Sequence, residues 1–277
     1  MSISQSLRSA GTRRCTARAI LRRFPPPSQP TLPIRTHTTR TTTADFGNDP
    51  SFHPRPRTPN VLERAFIAAT SAIGAMRDPT RQETVAHLGE VTGLHTLAQM
   101  RDKMLLSPTG RRILRTRPIL TSTTLNLPAL RRLPPGTFGR EYVTFLDAEH
   151  VSPDTRVPVT YISDPELAYV MRRYREVHDF MHTLTGLPTT VEAEIALKWL
   201  EMVQSGGMPV AALSAFVGPL RLSAAERDRF FGVYVPWAVQ CGASAAFVLN
   251  VYYEEMLEKP LETVRRELGF IPLPSIV

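Results

Sequence analysis

Pro165 to Glu194 reads PELAYVMRRYREVHDFMHTLTGLPTTVEAE. Ser163 is placed to cap a helix, Pro165 suits its first turn, and Glu166 completes a capping box. Leu167, Val170, Met171, Tyr174, Val177 and Met181 recur at three- and four-residue steps, which predicts a packed stripe running to about residue 184. Gly186 and Pro188 end that helix. Thr189 and Glu192 then open another that reaches about Gln204, so the two lie as antiparallel neighbours. Within this hairpin, His178 and His182 stand about 40° apart around a helix. Asp179 lies beside them, and Glu194 falls twelve residues beyond His182, where a tight turn folds it back.

The same punctuation recurs on both sides. A helix is predicted over 60–76, ending before Pro79. Thr80 and Glu83 cap one reaching about residue 105, with Gly89 and Gly93 on one face for close packing. Ser107 to Arg140 is basic and broken by prolines. Tyr142 to Leu146 fits a short strand or a helical turn, and Val157 to Ile162 an extended strand. Gly206, Gly207 and Pro209 precede a helix over 209–217, and Ser223 with Glu226 caps the next. Phe230 to Tyr253 carries no charge; Pro236, Gln240, Ser244 and Asn250 favour a buried helix over a membrane span. Leu261 to Leu268 forms a last helix, stopped by Gly269. The fold class is all-α, a multi-helical single domain over 60–277 with at most a minor strand region.

Charge and composition set apart the N-terminus. The formal charge is +8, with 33 basic and 25 acidic residues. Eight arginines, from Arg8 to Arg40, precede residue 45 with no acid among them, which leaves the remainder neutral. Residues 1–44 therefore read as a mitochondrial transit peptide and 45–59 as a Pro-rich linker. A neutral body excludes nucleic acid as the partner its charge first points to. Cys15 falls in the leader and Cys241 in an apolar pattern, so the mature chain holds one core thiol and no disulfide.

Two imidazoles with carboxylates suit zinc with a position left for water or substrate; iron or manganese suits the same mixed set. Asp179 is either a ligand or the acceptor that fixes a ligating histidine's tautomer. Spacing alone equally allows two hydrogen-bonded helical histidines. The zinc-peptidase signature fails because Asp179 stands where its Glu belongs. Helical metal phosphohydrolases need further ligands that His87, His95, His150 and Asp228 do not supply at persuasive spacing. The arginines at 172, 173 and 175 are read as an anion contact or, for at least two of them, as solvated helix charges.

The combined pattern, Pro165 to Glu176 followed by His178-Asp179-x-x-His182 and Glu194, resembles the fourth protein family of mitochondrial ubiquinone (coenzyme Q) biosynthesis. Gly136-Thr137-Phe138-Gly139 and Leu261 to Phe270 are also similar to that family, over residues 60–272 in all. The resemblance implies a helical metalloprotein, peripheral on the matrix side of the mitochondrial inner membrane. It implies His178, Asp179, His182 and Glu194 as metal ligands, zinc foremost. The implied activity is C1 decarboxylation of 4-hydroxy-3-methoxy-5-polyprenylbenzoate, with hydroxylation at that carbon in some accounts. The implied partners are other ubiquinone-biosynthesis proteins in a multi-subunit complex, the polyprenylated substrate and the lipid surface; a homodimer is compatible. An apolar channel lined by 230–253 and Ala211 to Val217 is expected for the tail. The alternative is a non-catalytic lipid-binding scaffold with a structural metal.

Overall fold

A computed structural model describes residues 58–77 and 82–273. The leader with Cys15, nearly all of the linker and the Thr80 cap lie outside those residues. The described chain is all-α, with no named strand and a single isolated bridge between Thr137 and Pro260. Its helices are α1 (Val61–Arg77), α2 (Gln82–Thr92), α3 (Leu94–Leu105), α4 (Pro108–Thr116), α5 (Leu127–Leu130), α6 (Phe138–Glu149) and α7 (Pro165–Glu176). They continue with α8 (His178–Thr185), α9 (Val191–Ser205), α10 (Pro209–Val217), α11 (Ala224–Arg229), α12 (Val235–Ser244) and α13 (Leu261–Leu268).

Several predicted boundaries hold because the capping chemistry is local. Ser223 and Glu226 form the reciprocal capping box, and Gly269 ends α13 at φ 70°. Other boundaries move by one residue for visible reasons. Asp164, not Ser163, caps α7, accepting from the N–H groups of Glu166 and Leu167. Thr190, not Thr189, caps α9, because the Thr189 hydroxyl donates to Glu149 instead.

Three expectations are corrected and one open choice is decided. The helix expected up to residue 105 breaks at Gly93, where a Cβ would stand 2.4 Å from the Gly89 carbonyl oxygen and 2.5 Å from Met208 Cε. Tyr142 to Leu146, which fits either a short strand or a helical turn, is helical and lies inside α6. Val157 to Ile162 pairs with no strand; Thr160 and Tyr161 donate their N–H groups to the Glu90 carboxylate, at 2.8 and 2.6 Å. The uncharged 230–253 segment is no single helix. Val235 donates five residues back to Phe230, giving a π turn over Phe230–Tyr234. That widening relieves Pro236, which has no N–H and would crowd the preceding turn. After α12 the chain continues in 3₁₀ turns at Val248–Asn250 and Tyr253–Glu255. No described helix is long and apolar enough to cross a membrane.

The predicted helix through residue 184 bends at Val177, whose ψ of −8° separates α7 from α8. Val177 N–H still bonds Arg173 and Met181 N–H still bonds Val177, so the bend keeps its backbone satisfied. The buried rings of Phe138, Tyr142 and Tyr253 pack round Phe180 on α8. The Gly136–Gly139 turn docks on the C-terminal segment through Phe138 N–H to Lys259 and Gly139 N–H to Leu257. Cys241 is buried, as expected of a core thiol.

Candidate metal centre

Three of the four expected residues converge. His178 and His182, one helical turn apart on α8, point their Nε2 atoms at each other across 3.2 Å. Glu194, in the first turn of α9, brings Oε1 to 3.2 Å from His182 Nε2 and Oε2 to 3.5 Å from His178 Nε2. Zinc bonds of about 2.0–2.1 Å put tetrahedral neighbours about 3.3 Å apart. The two imidazole nitrogens stand at about that spacing, and the Glu194 carboxylate turns one oxygen toward each ring, so one ligand atom from each residue lies within 4.8 Å of the other two.

The far side of each ring explains the aim. His182 Nδ1 donates to the Leu187 carbonyl at 3.0 Å, a backbone tie supplied by the Gly186 turn. His178 Nδ1 meets Glu201 Oε1 at 2.6 Å. With both Nδ1 atoms spent on acceptors, both Nε2 atoms are left to share a cation. Phe145 stacks on the His182 ring at 5.0 Å and helps bury it. Glu194 keeps about a third of its side chain exposed, at 35%, so the group opens toward solvent on that side.

Electrostatics agree with a site short of positive charge. Burial and the Lys198 charge both oppose an imidazolium at His178, yet hydrogen bonds to Glu194 and Glu201 outweigh them and push it up to about 9. Burial also opposes ionisation of Glu201, but Lys198, His178 and Tyr174 hold its carboxyl down at about 2. Against its own desolvation, Glu194 is held well below the usual carboxylate range by the two imidazoles. Two carboxylates around two converging imidazoles fit a divalent cation.

Asp179 stands apart from this group. Its carboxylate pairs with Arg156, while His178, His182 and Glu194 alone form the cluster among the described residues. Arg156 also donates to the carbonyls of Pro153 and Arg175, and it lines a cavity of about 400 Å³ with Leu120, Val157, Arg172, Arg175 and Glu176. None of that cavity's wall comes from 211–217 or 230–253, where an apolar channel was expected.

The three arginines of α7 are not solvated helix charges. Arg173 is fully buried against Glu254, Arg172 pairs with Glu176, and Arg175 with Glu90. The residue that spacing analysis missed is Glu201. It follows Glu194 by seven residues, two turns of α9, and so falls on the same face; that periodicity was its available signal.

Residues 56–274 match the family model described as coenzyme Q (ubiquinone) biosynthesis protein Coq4. The chain belongs to the Coq4 family. It is 49% identical over 216 residues to "Ubiquinone biosynthesis protein coq4, mitochondrial" of Schizosaccharomyces japonicus, covering 78% of this chain and 90% of that one. The Xenopus tropicalis homologue, also named mitochondrial, is 49% identical over 78% of this chain and 77% of its own length. A crystal structure of a putative ubiquinone biosynthesis protein from Nostoc punctiforme superposes with a TM-score of 0.59 at 18% identity, covering 74% of this chain and 97% of that one. At that identity the likeness establishes a shared fold. Family membership places the chain in ubiquinone biosynthesis.

Proposed function

We propose that this Coq4 chain is a metal-dependent carboxy-lyase that removes the C1 carboxyl of 4-hydroxy-3-methoxy-5-polyprenylbenzoate. In this reading it works on the matrix side of the mitochondrial inner membrane and also organises the other ubiquinone-synthesis proteins into a complex. Residues 1–44 serve as the import leader and 60–277 as the working domain. The observation that carries the reading is the convergence of His178, His182 and Glu194, with the two Nε2 atoms 3.2 Å apart and one carboxylate oxygen within 3.2–3.5 Å of each. A structural metal site would call for a fourth protein ligand; Asp179, the expected fourth, is engaged by Arg156. This arrangement favours catalysis over the scaffold-only alternative.

A bound divalent ion supplies Lewis acidity for an anionic oxygen of the substrate. Zinc fits the donor set best and offers no redox chemistry; iron or manganese fits a hydroxylating version that consumes dioxygen. His178 and His182 would hold the ion through Nε2 and Glu194 through its carboxylate. Phe145 keeps water from one face of His182. Loss of carbon dioxide leaves an electron pair at C1, which a proton takes up in the simple lyase reaction.

Membrane association is supported by α1. Leu62, Phe66 and Ile73 are exposed at 82%, 70% and 46% along one face of this helix. Exposed Arg77 ends the same helix, and exposed Arg221 donates to the Ala75 carbonyl at 3.5 Å. An apolar helix face near exposed arginines suits the surface of an anionic bilayer.

The test is release of labelled carbon dioxide from a short-chain, carboxyl-labelled substrate analogue by metal-loaded protein. Wild type turns over and His182→Ala does not, with its helical circular dichroism unchanged. Equal release by both would defeat the catalytic reading.

A further inference from the structure

Glu201 is nearly fully buried on α9, yet both of its carboxylate oxygens have polar partners. Its Oε1 meets His178 Nδ1 at 2.6 Å. Lys198 Nζ lies 2.9 Å from each of its oxygens, and the buried Tyr174 hydroxyl donates to Oε2 at 2.5 Å. A carboxylate desolvated to this degree is retained only where its partners are well placed. Here one partner comes from its own helix, one from α7 and one from α8.

We infer that Glu201 is the positioning residue of the metal centre, with Tyr174 and Lys198 fixing it in turn. This rests on the metal reading above and goes beyond it in assigning how one ligand is held. Glu201 accepts the Nδ1 proton of His178, which leaves Nε2 as the bare donor and sets the plane of the ring. Lys198 and Tyr174 stop the carboxylate from rotating away. The two histidines are therefore oriented by different means. His182 leans on the Leu187 carbonyl, which no side-chain substitution removes; His178 depends on a side chain. Partners of this kind behind a ligating histidine are worth about 10–100-fold in metal affinity.

A core polar cluster with no bearing on the metal would have the same contacts, so the test must read the ion itself. Zinc affinity of the full chain is measured by competition with a chelating dye, and cobalt(II) is added separately for its visible absorption bands. Glu201→Gln keeps the size of the side chain but removes its charge and one acceptor oxygen. We expect it to bind zinc about 10–100-fold more weakly than wild type, with altered cobalt bands. Tyr174→Phe leaves the carboxylate in place and loosens it, with a smaller loss in the same direction. Should Glu201→Gln not fold, Tyr174→Phe carries the test. Folded variants that bind zinc as tightly as wild type, with unchanged cobalt bands, would overturn the inference while leaving the metal centre standing. A wild-type protein that takes up neither ion overturns the metal reading, and this inference with it.

Discussion

Two imidazole Nε2 atoms 3.2 Å apart, each with its Nδ1 tied to an acceptor, cannot both present bare lone pairs to one another. Without an ion, the proton that His178 retains up to about 9 does the joining. With one, the two Nε2 atoms and the Glu194 carboxylate would hold it between them. Asp179 sits one residue from His178 but is turned to Arg156. On that geometry it is expected to contribute less to metal binding than the three converging residues. We expect Asp179→Asn to retain most zinc affinity and His182→Ala to lose it, as read by dye competition. An Asp179→Asn protein as empty as His182→Ala would return Asp179 to the ligand set. The adjacent pair was legible in the sequence as a candidate, but its division of labour was not. Arg156 is 23 residues upstream in an irregular stretch, and nothing in the spacing announces that ion pair.

Helices with self-contained signals were readable, and those shaped by tertiary contacts were not. Ser223 and Glu226 complete their box within one turn, and Gly269 adopts the left-handed conformation that ends α13. By contrast, the bend at Val177, the Gly93 break and the π turn before Pro236 depend on packing or on how a proline is absorbed. Val157 to Ile162 looks like a strand because its residues alternate weakly; a buried Glu90 carboxylate on α2, not a neighbouring strand, takes the Thr160 and Tyr161 N–H groups. Arg173 shows the same limit. It faces inward from a run that looks charged and exposed, and it ties α7 to the Tyr253–Glu255 turn through Glu254 at 2.9 Å and the Val251 carbonyl at 3.0 Å. Removing one partner of a buried pair costs about 3–5 kcal/mol, and Glu254 keeps 21% exposure. We expect Arg173→Met to lose roughly 3 kcal/mol in urea unfolding, the low end of that range. A change within about 0.5 kcal/mol, the level of an ordinary surface substitution, would contradict that role.

At the scale of the whole molecule, the all-α fold and the family were legible because helical punctuation and the long central motif run through the body. The site of membrane contact was not, since exposed and buried apolar residues look alike in sequence. Leu62 and Phe66 lie on the outer face of α1, and each buries enough apolar surface on insertion to matter. Leu62→Ser with Phe66→Ser is expected to weaken flotation of the protein with anionic liposomes by at least about tenfold. Unchanged flotation would remove α1 from the docking surface. Metal content decides the central claim most directly. Elemental analysis of purified full-length protein should find a single divalent ion per chain in wild type and none above background in the folded His182→Ala protein. A folded wild type with no bound ion, or a His182→Ala protein that keeps its full complement, would contradict the metal centre on which the proposed chemistry depends.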